Sequence, residues 1–153
     1  LDQKAMQSGL NILKGRHDFL PFRASGGAET LTTEREILEA EVTQVPILFP
    51  FQLHLLKIRI VGTGFLKQMV RSIVGTLVEI GEGRRSPESF REILETKNRA
   101  LLGATAPARG LWLERVWYDQ LDWEKSDYSQ VSFINVVPTE PLATQHPIST
   151  GRM

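Results

Sequence analysis

The stretch from Gly62 to Gly81 constrains the fold of this chain more than any other. Read at helical period, Phe65, Leu66, Met69, Val70, Ile73, Val74, Leu77, Val78 and Ile80 share one wide apolar face. A helix with so broad an apolar face must be covered over much of its girth. Arg71 sits at the margin of that face, one turn after Lys67 and beside Val74 and Val78. A half-buried guanidinium there needs an anionic partner. Spacing alone leaves two readings of Lys67 and Arg71 open. Both stems snorkel along a solvated helix edge, or their charges aim into a cleft that holds a carboxylate or a phosphate.

The elements that could cover this helix lie on both sides of it. Asp2 is placed to cap a helix running to about Leu13, with Ala5, Met6, Leu10 and Leu13 on one side and Gly15 as its stop. Residues 16–30 read as an ordered loop followed by a flexible Ala24-Ser25-Gly26-Gly27. Residues 31–45 suit a strand, and a turn from Pro46 to Pro50 leads to a second strand from Phe51 to Val61, with Leu53, Leu55, Ile58 and Ile60 as its core set. The apolar helix is expected from about Phe65 to Gly81. Ser86-Pro87-Glu88 starts another, with Phe90, Ile93 and Leu94 as its apolar stripe. Leu111 to Tyr118 reads as a third strand, and Val131 to Val137 as one possible strand in an otherwise weakly patterned tail. The order predicts an α+β domain, an antiparallel β-sheet with helices packed on one face.

Composition narrows the function classes. The chain has 153 residues and no cysteine, so a disulfide framework or a thiolate metal site is excluded. Its three histidines, His17, His54 and His146, lack metal-ligand spacing. It has no apolar run long enough for a bilayer. Leu1 is not preceded by an initiator methionine, and the sequence reads as part of a longer gene product of the cytoplasm. Residues 1–118 hold 16 Lys/Arg against 13 Asp/Glu, and residues 119–153 hold 2 against 5. A mildly basic body with an acidic tail permits nucleic-acid contact without the footprint of a strongly basic binder.

Three short constellations carry what chemistry there is. His17-Asp18-Phe19 with Phe22-Arg23 reads first as an Asx-type turn anchored by two phenylalanines, since no serine or cysteine stands ready as a nucleophile. Gly62-x-Gly64 joins a strand to a helix, but the dinucleotide and Walker patterns are missing. Thr105 to Leu113 is a tight loop entering a strand, either a plain connection or a wall against a planar ligand. In this order, His17-Asp18-Phe19-x-x-Phe22-Arg23, then Phe65-x-x-x-Met69-Val70-Arg71-x-x-Val74-Gly75, then Thr105-Ala106-Pro107-Ala108-x-Gly110-Leu111-x-Leu113, resemble the C-terminal half of the TruA-type tRNA pseudouridine synthases over residues 1–119.

The resemblance implies residues 1–119 as a C-terminal domain; residues 120–153 match nothing in the family pattern and, with their prolines, serines and threonines, read as a partly disordered extension. It implies isomerisation of uridine to pseudouridine at positions 38 to 40 of the tRNA anticodon stem-loop, without cofactor or metal, by a homodimer. The family's nucleophilic aspartate lies in an Arg-Thr-Asp-x-Gly-Val-His motif that this sequence does not contain. The fragment is therefore expected to be inactive alone. By the same resemblance Arg71 pairs with that aspartate and Leu111 packs against the uracil. Lys14, Arg16, His17, Arg23 and Lys67 are candidates for contact with the RNA. The alternative is a non-catalytic RNA-binding or dimerisation module.

Overall fold

A computed structural model describes residues 1–26, 31–47, 53–116 and 131–138. Three helices, α1 (Gln3–Ile12), α2 (Met69–Gly81) and α3 (Ser89–Thr96), accompany five strands. The strands are β1 (Gly15–Asp18), β2 (Glu34–Ile47), β3 (Leu53–Gly62), β4 (Leu111–Val116) and β5 (Val131–Pro138). They form one sheet in the order β1-β2-β3-β5-β4, every neighbouring pair antiparallel. The expected class holds: α+β, with an antiparallel sheet.

Local chemistry explains the ends. Asp2 caps α1 by accepting from the Lys4 and Ala5 amides at 2.9 and 3.0 Å. Gly15, at φ +92, turns the chain out of the helix into β1. β1 pairs with β2 only from Glu34 to Ile37, which leaves the β2 edge beyond it open. Two glutamines of α1 cover its middle, at Ala40 and Val42. Gln7 accepts from the Val42 amide at 2.9 Å and donates to the Ala40 carbonyl at 3.1 Å, and Gln3 donates to the Val42 carbonyl at 2.8 Å. Backbone groups satisfied in this way are withdrawn from pairing with another strand.

Alternation sorts the two sheet faces. Leu56, Ile58 and Ile60 of β3 are buried under the helices, as are Ala40 and Val42 of β2 and, across a register shift between Ile37 and Glu39, Ile37. They join Met6, Leu10 and Leu13 around α1, Met69, Val70, Ile73, Val74, Leu77 and Ile80 of α2, and Phe90 and Ile93 of α3. On the other face Arg59 pairs with Glu39 on one side and Glu114 on the other.

Several expectations are corrected. In β3 the core set is Leu56, Ile58 and Ile60. Leu55 has the parity of Lys57 and Arg59 and is half-buried, because a strand cannot present 55 and 58 on one side. The side chain of Leu53 lies outside the described residues. The loop expected after Gly15 begins with β1. Helix α2 starts at Met69 rather than near Phe65: Gln68 takes a left-handed φ of 61, and the Lys67 carbonyl accepts from the Ala24 amide at 3.0 Å. The strand expected at Val131 to Val137 is present as β5. Residues 27–30, 48–52, 117–130 and 139–153 lie outside the described residues, and with them Trp117, Tyr118, Trp123, the turn at 48–50 and most of the acidic tail. Among the described residues no helix is long and apolar enough to cross a membrane.

Candidate active site

One stripe of α2 holds the loop that leads into β4. Gly75 stands where that loop crosses the helix: a Cβ there would lie 1.6 Å from the Ala104 carbonyl oxygen and 3.1 Å from the Ala106 nitrogen. No other residue permits so close a backbone approach. Around the contact, polar groups of the helix bind the loop. The Ala106 amide donates to the Arg71 carbonyl at 3.0 Å. The Gly103 amide donates to Thr76 Oγ1 at 3.0 Å, and the Ala104 amide to Glu79 Oε1 at 3.1 Å. The other Glu79 oxygen is held by Arg85, whose Nη1 also donates to the Leu101 carbonyl at 2.8 Å. The Arg85 hydrogen bond above all, and the Ala104 amide, hold the Glu79 carboxyl below its usual range against the opposing effect of burial.

Arg71 completes this stripe. It is half-buried and donates Nε–H to the Ala106 carbonyl at 2.7 Å. That bond uses the inner nitrogen and fixes the plane of the guanidinium. Among the described residues no carboxylate lies within ion-pair distance of it. The loop continues through the short turn Ala108–Gly110 to Leu111, which is half-buried against the core at the start of β4. Arg71 and Leu111 are thus positioned by one anchored segment.

The other candidates fall into two groups. Lys14, Arg16 and His17 lie at the junction of α1 and β1. Lys14 is exposed, and its carbonyl accepts from His17 Nε2 at 3.0 Å. Arg16 is exposed and faces Glu36 at 3.5 Å. Arg23 and Lys67 lie together at the next loop, where Lys67 Nζ donates to the Gly26 carbonyl at 3.1 Å. Among the described residues, no hydrogen bond or ion pair joins the Lys14–His17 group to Arg71. Asp18 acts as a loop staple. It accepts from Thr33 Oγ1 at 2.6 Å and the Leu20 amide at 3.1 Å, and pairs with Lys97 at 2.6 Å. The Lys97 hydrogen bond, followed by that of Thr33, holds its carboxyl below the ordinary range.

Sequence reasoning missed Glu79, Arg85, Lys97 and Arg99. Arg99 donates to the Pro21 carbonyl at 2.9 Å and to the Arg23 carbonyl, and with Lys97 and Arg23 it lines a groove of about 320 Å³. An acidic residue inside a largely apolar helix was the available signal for Glu79. Asp18 and Lys97 are 79 residues apart, and nothing local joins them.

Comparison with known proteins bears on this arrangement. The sequence pattern of the tRNA pseudouridine synthase family matches residues 10–119. The chain is 46% identical over 115 residues to tRNA pseudouridine synthase A of Anoxybacillus flavithermus, covering 75% of this chain and 44% of that protein. It is 42% identical over 122 residues to tRNA pseudouridine synthase A of Thermus thermophilus, covering 78% of this chain and 45% of that protein. The chain therefore spans less than half the length of these relatives. The matched segment carries the α2 stripe, the loop it anchors and Leu111, and on that match the chain belongs to the tRNA pseudouridine synthase family.

Proposed function

We propose that this chain is the C-terminal portion of a cytoplasmic tRNA pseudouridine synthase, in which residues 1–119 form the domain and 120–153 an extension. The assembled protein isomerises uridine in the anticodon stem-loop, at positions 38 to 40, as a homodimer and without a cofactor. Arg71 pairs with a nucleophilic aspartate supplied from outside this chain. A guanidinium a few ångströms from a buried carboxylate keeps it ionised and oriented for attack. Leu111 packs against the uracil once the base has been extruded from its stack. Lys14, Arg16, His17, Arg23 and Lys67 contact the RNA, chiefly its phosphates.

The observation that supports this reading is the state of Arg71. It is half-buried and oriented through Nε, with no carboxylate of the described residues within ion-pair distance. A solvated helix edge gives no reason for such restraint. The test is a chimera, the Anoxybacillus flavithermus relative with its matched segment replaced by residues 10–119 of this chain. Isomerisation exchanges the hydrogen at uracil C5, so release of tritium from tRNA labelled there reports turnover. The chimera is expected to release it and the 153-residue chain alone is not. Turnover by the chain alone, or full turnover by an Arg71→Ala chimera, sinks the reading.

A further inference from the structure

The family match ends at residue 119, yet the sheet contains a strand from beyond that limit. β5 lies between β3 and β4 and runs antiparallel to both. It is in register from Leu55 opposite Pro138 to Gly62 opposite Val131, and from Leu111 opposite Asn135 to Val116 opposite Val131. β3 and β4 are therefore parallel, connected through α2 and α3, and separated by a gap one strand wide. On the outer face Arg59 of β3 reaches Glu114 of β4 at 2.9 Å, across the intervening strand. The gap is built by the matched segment and filled by residues outside it.

The start of the chain identifies the strand this gap suits. Gln3 binds the backbone of Val42, Gln7 that of Ala40 and Val42, and Gly15 pairs with Ile37. Helix α1 therefore runs against the direction of β2. A helix so oriented is the middle of a strand–helix–strand unit whose first strand is parallel to β2. Right-handed crossover fixes the side. The β3–β4 unit steps one way with its helices on the shared face, so a unit of opposite strand direction steps the other way. Its first strand then lies on the β3 side of β2. β3 itself is antiparallel to β2, so the first position of the right direction is the gap. Two units interleaved like this form the split βαβ arrangement. Such a strand would end where α1 begins, beside the Gly81 carbonyl that accepts from Asp2 N at 2.7 Å.

β5 runs in that direction, but its sequence is an imperfect match for the place. Asn135 stands in register between the buried Ile58 and the half-buried Leu111. Pro138, opposite Leu55, has no amide hydrogen for the ladder. We propose that β5 is a surrogate strand, occupying the position of a strand that leads directly into α1 in the longer chains of the family. The tail must leave the gap when that strand is present. Because β5 borders Leu111, its departure also changes the neighbour of a candidate site residue.

The proposal rests on backbone topology and does not depend on the catalytic reading. A cysteine-free chain allows a clean proximity test. Lys57→Cys and Val136→Cys are in register across β3 and β5, a separation that suits a disulfide. In the 153-residue chain this bridge is expected to form readily under mild oxidation. The whole chain is then placed in the Anoxybacillus flavithermus relative in exchange for its counterpart of residues 1–119, so that the relative's own upstream residues lead into α1. The bridge is expected to form at least tenfold more slowly there. Equal rates in both settings overturn the proposal, and so does failure to form in the 153-residue chain. A second measurement covers a chimera that does not fold. Ile134→Pro in the 153-residue chain should open the gap and speed amide exchange across residues 55–62. A synthetic peptide copying the residues just before the relative's counterpart of α1, eight long like β5, should restore the protection. Absence of restoration overturns the proposal. Displacement of β5 in a chimera without turnover would sink the catalytic reading alone.

Discussion

Arg71 and Arg99 make the same kind of bond with opposite ends of the guanidinium. Each donates to the backbone of a distant loop: Arg71 to Ala106, Arg99 to Pro21 and Arg23. Arg71 does so through Nε. Arg99 uses Nη1, a terminal nitrogen, twice. A carboxylate is gripped bidentately either end-on, by the two terminal nitrogens, or side-on, by Nε and one of them. Arg71 has committed Nε and keeps the end-on pair, whereas Arg99 has committed one of that pair to hold the fold together. Positive charge and a bond to a loop carbonyl do not separate them; burial does, since Arg71 is half-buried and Arg99 exposed, and so does the nitrogen each gives to the backbone.

The comparison is broken or upheld first at Arg71. In the chimera Arg71→Lys is expected to lower turnover about a thousandfold, about 4 kcal/mol of barrier. Lysine keeps the charge but has no planar fork. Affinity for tRNA, measured by filter binding, should change little, because the lost interaction is with the nucleophile. A rate within tenfold of the parent would mean that the fork has no partner in the reaction.

The next effect falls on the scaffold that orients Arg71. Gly75→Ala places a methyl 1.6 Å from the Ala104 carbonyl, so the loop or the helix must shift. The expected cost is about 3 kcal/mol, at the upper end for overpacking. In thermal unfolding that is a fall of about 6 to 12 °C for a chain of this size. An unchanged midpoint would show that the loop does not rest on the helix.

Glu79 tests the same scaffold from its polar side. Its carboxyl titrates below the usual range because Arg85 and the Ala104 amide bind the charged form. The stabilisation is therefore present above the ordinary glutamate pKa, about 4.3, and is lost as pH falls through the depressed folded value. Glu79→Gln is expected to cost about 2 kcal/mol at pH 7, in the range for a hydrogen bond to a charged group. The gap to the parent should narrow as pH drops below about 4. Urea midpoints at pH 7 and pH 3 would show it, and a gap independent of pH would assign the loss to packing.

How much of this was legible in the sequence depended on the range of the interaction. The Asp2 cap, the hairpin, the apolar stripe of α2 and the strand at 131–138 follow from neighbours within a turn or a pleat. The errors arose where tertiary contacts override local pattern. Phe65 to Gln68 fits helical periodicity, but the Lys67 carbonyl binds Ala24 and the helix waits until Met69. His17-Asp18 looks like loop, but pairing with Arg35 and Glu34 makes it strand. At the candidate site, the resemblance names Arg71 and Leu111 as separate points. The α2 stripe that orders them was not legible, because its contacts join residues about 25 to 35 positions apart.

The smallest expected effect sharpens the opening comparison most. Arg99→Lys removes a guanidinium that holds two carbonyls of the 21–23 loop. A lysine reaches one of them at best, so one net hydrogen bond is lost, about 1 kcal/mol. That is a fall of about 2 to 4 °C in the midpoint. Turnover by the chimera should stay within about twofold, a change of less than half a kcal/mol in barrier. The same Arg-to-Lys change at Arg71 is expected to cost the fold a similar single hydrogen bond, about 1 kcal/mol, but to remove the rate. If Arg99→Lys instead lowers turnover by a factor close to that of Arg71→Lys, the groove it lines with Arg23 and Lys97 belongs to the reacting site. Which guanidinium nitrogen binds the backbone would then no longer separate a structural arginine from a functional one.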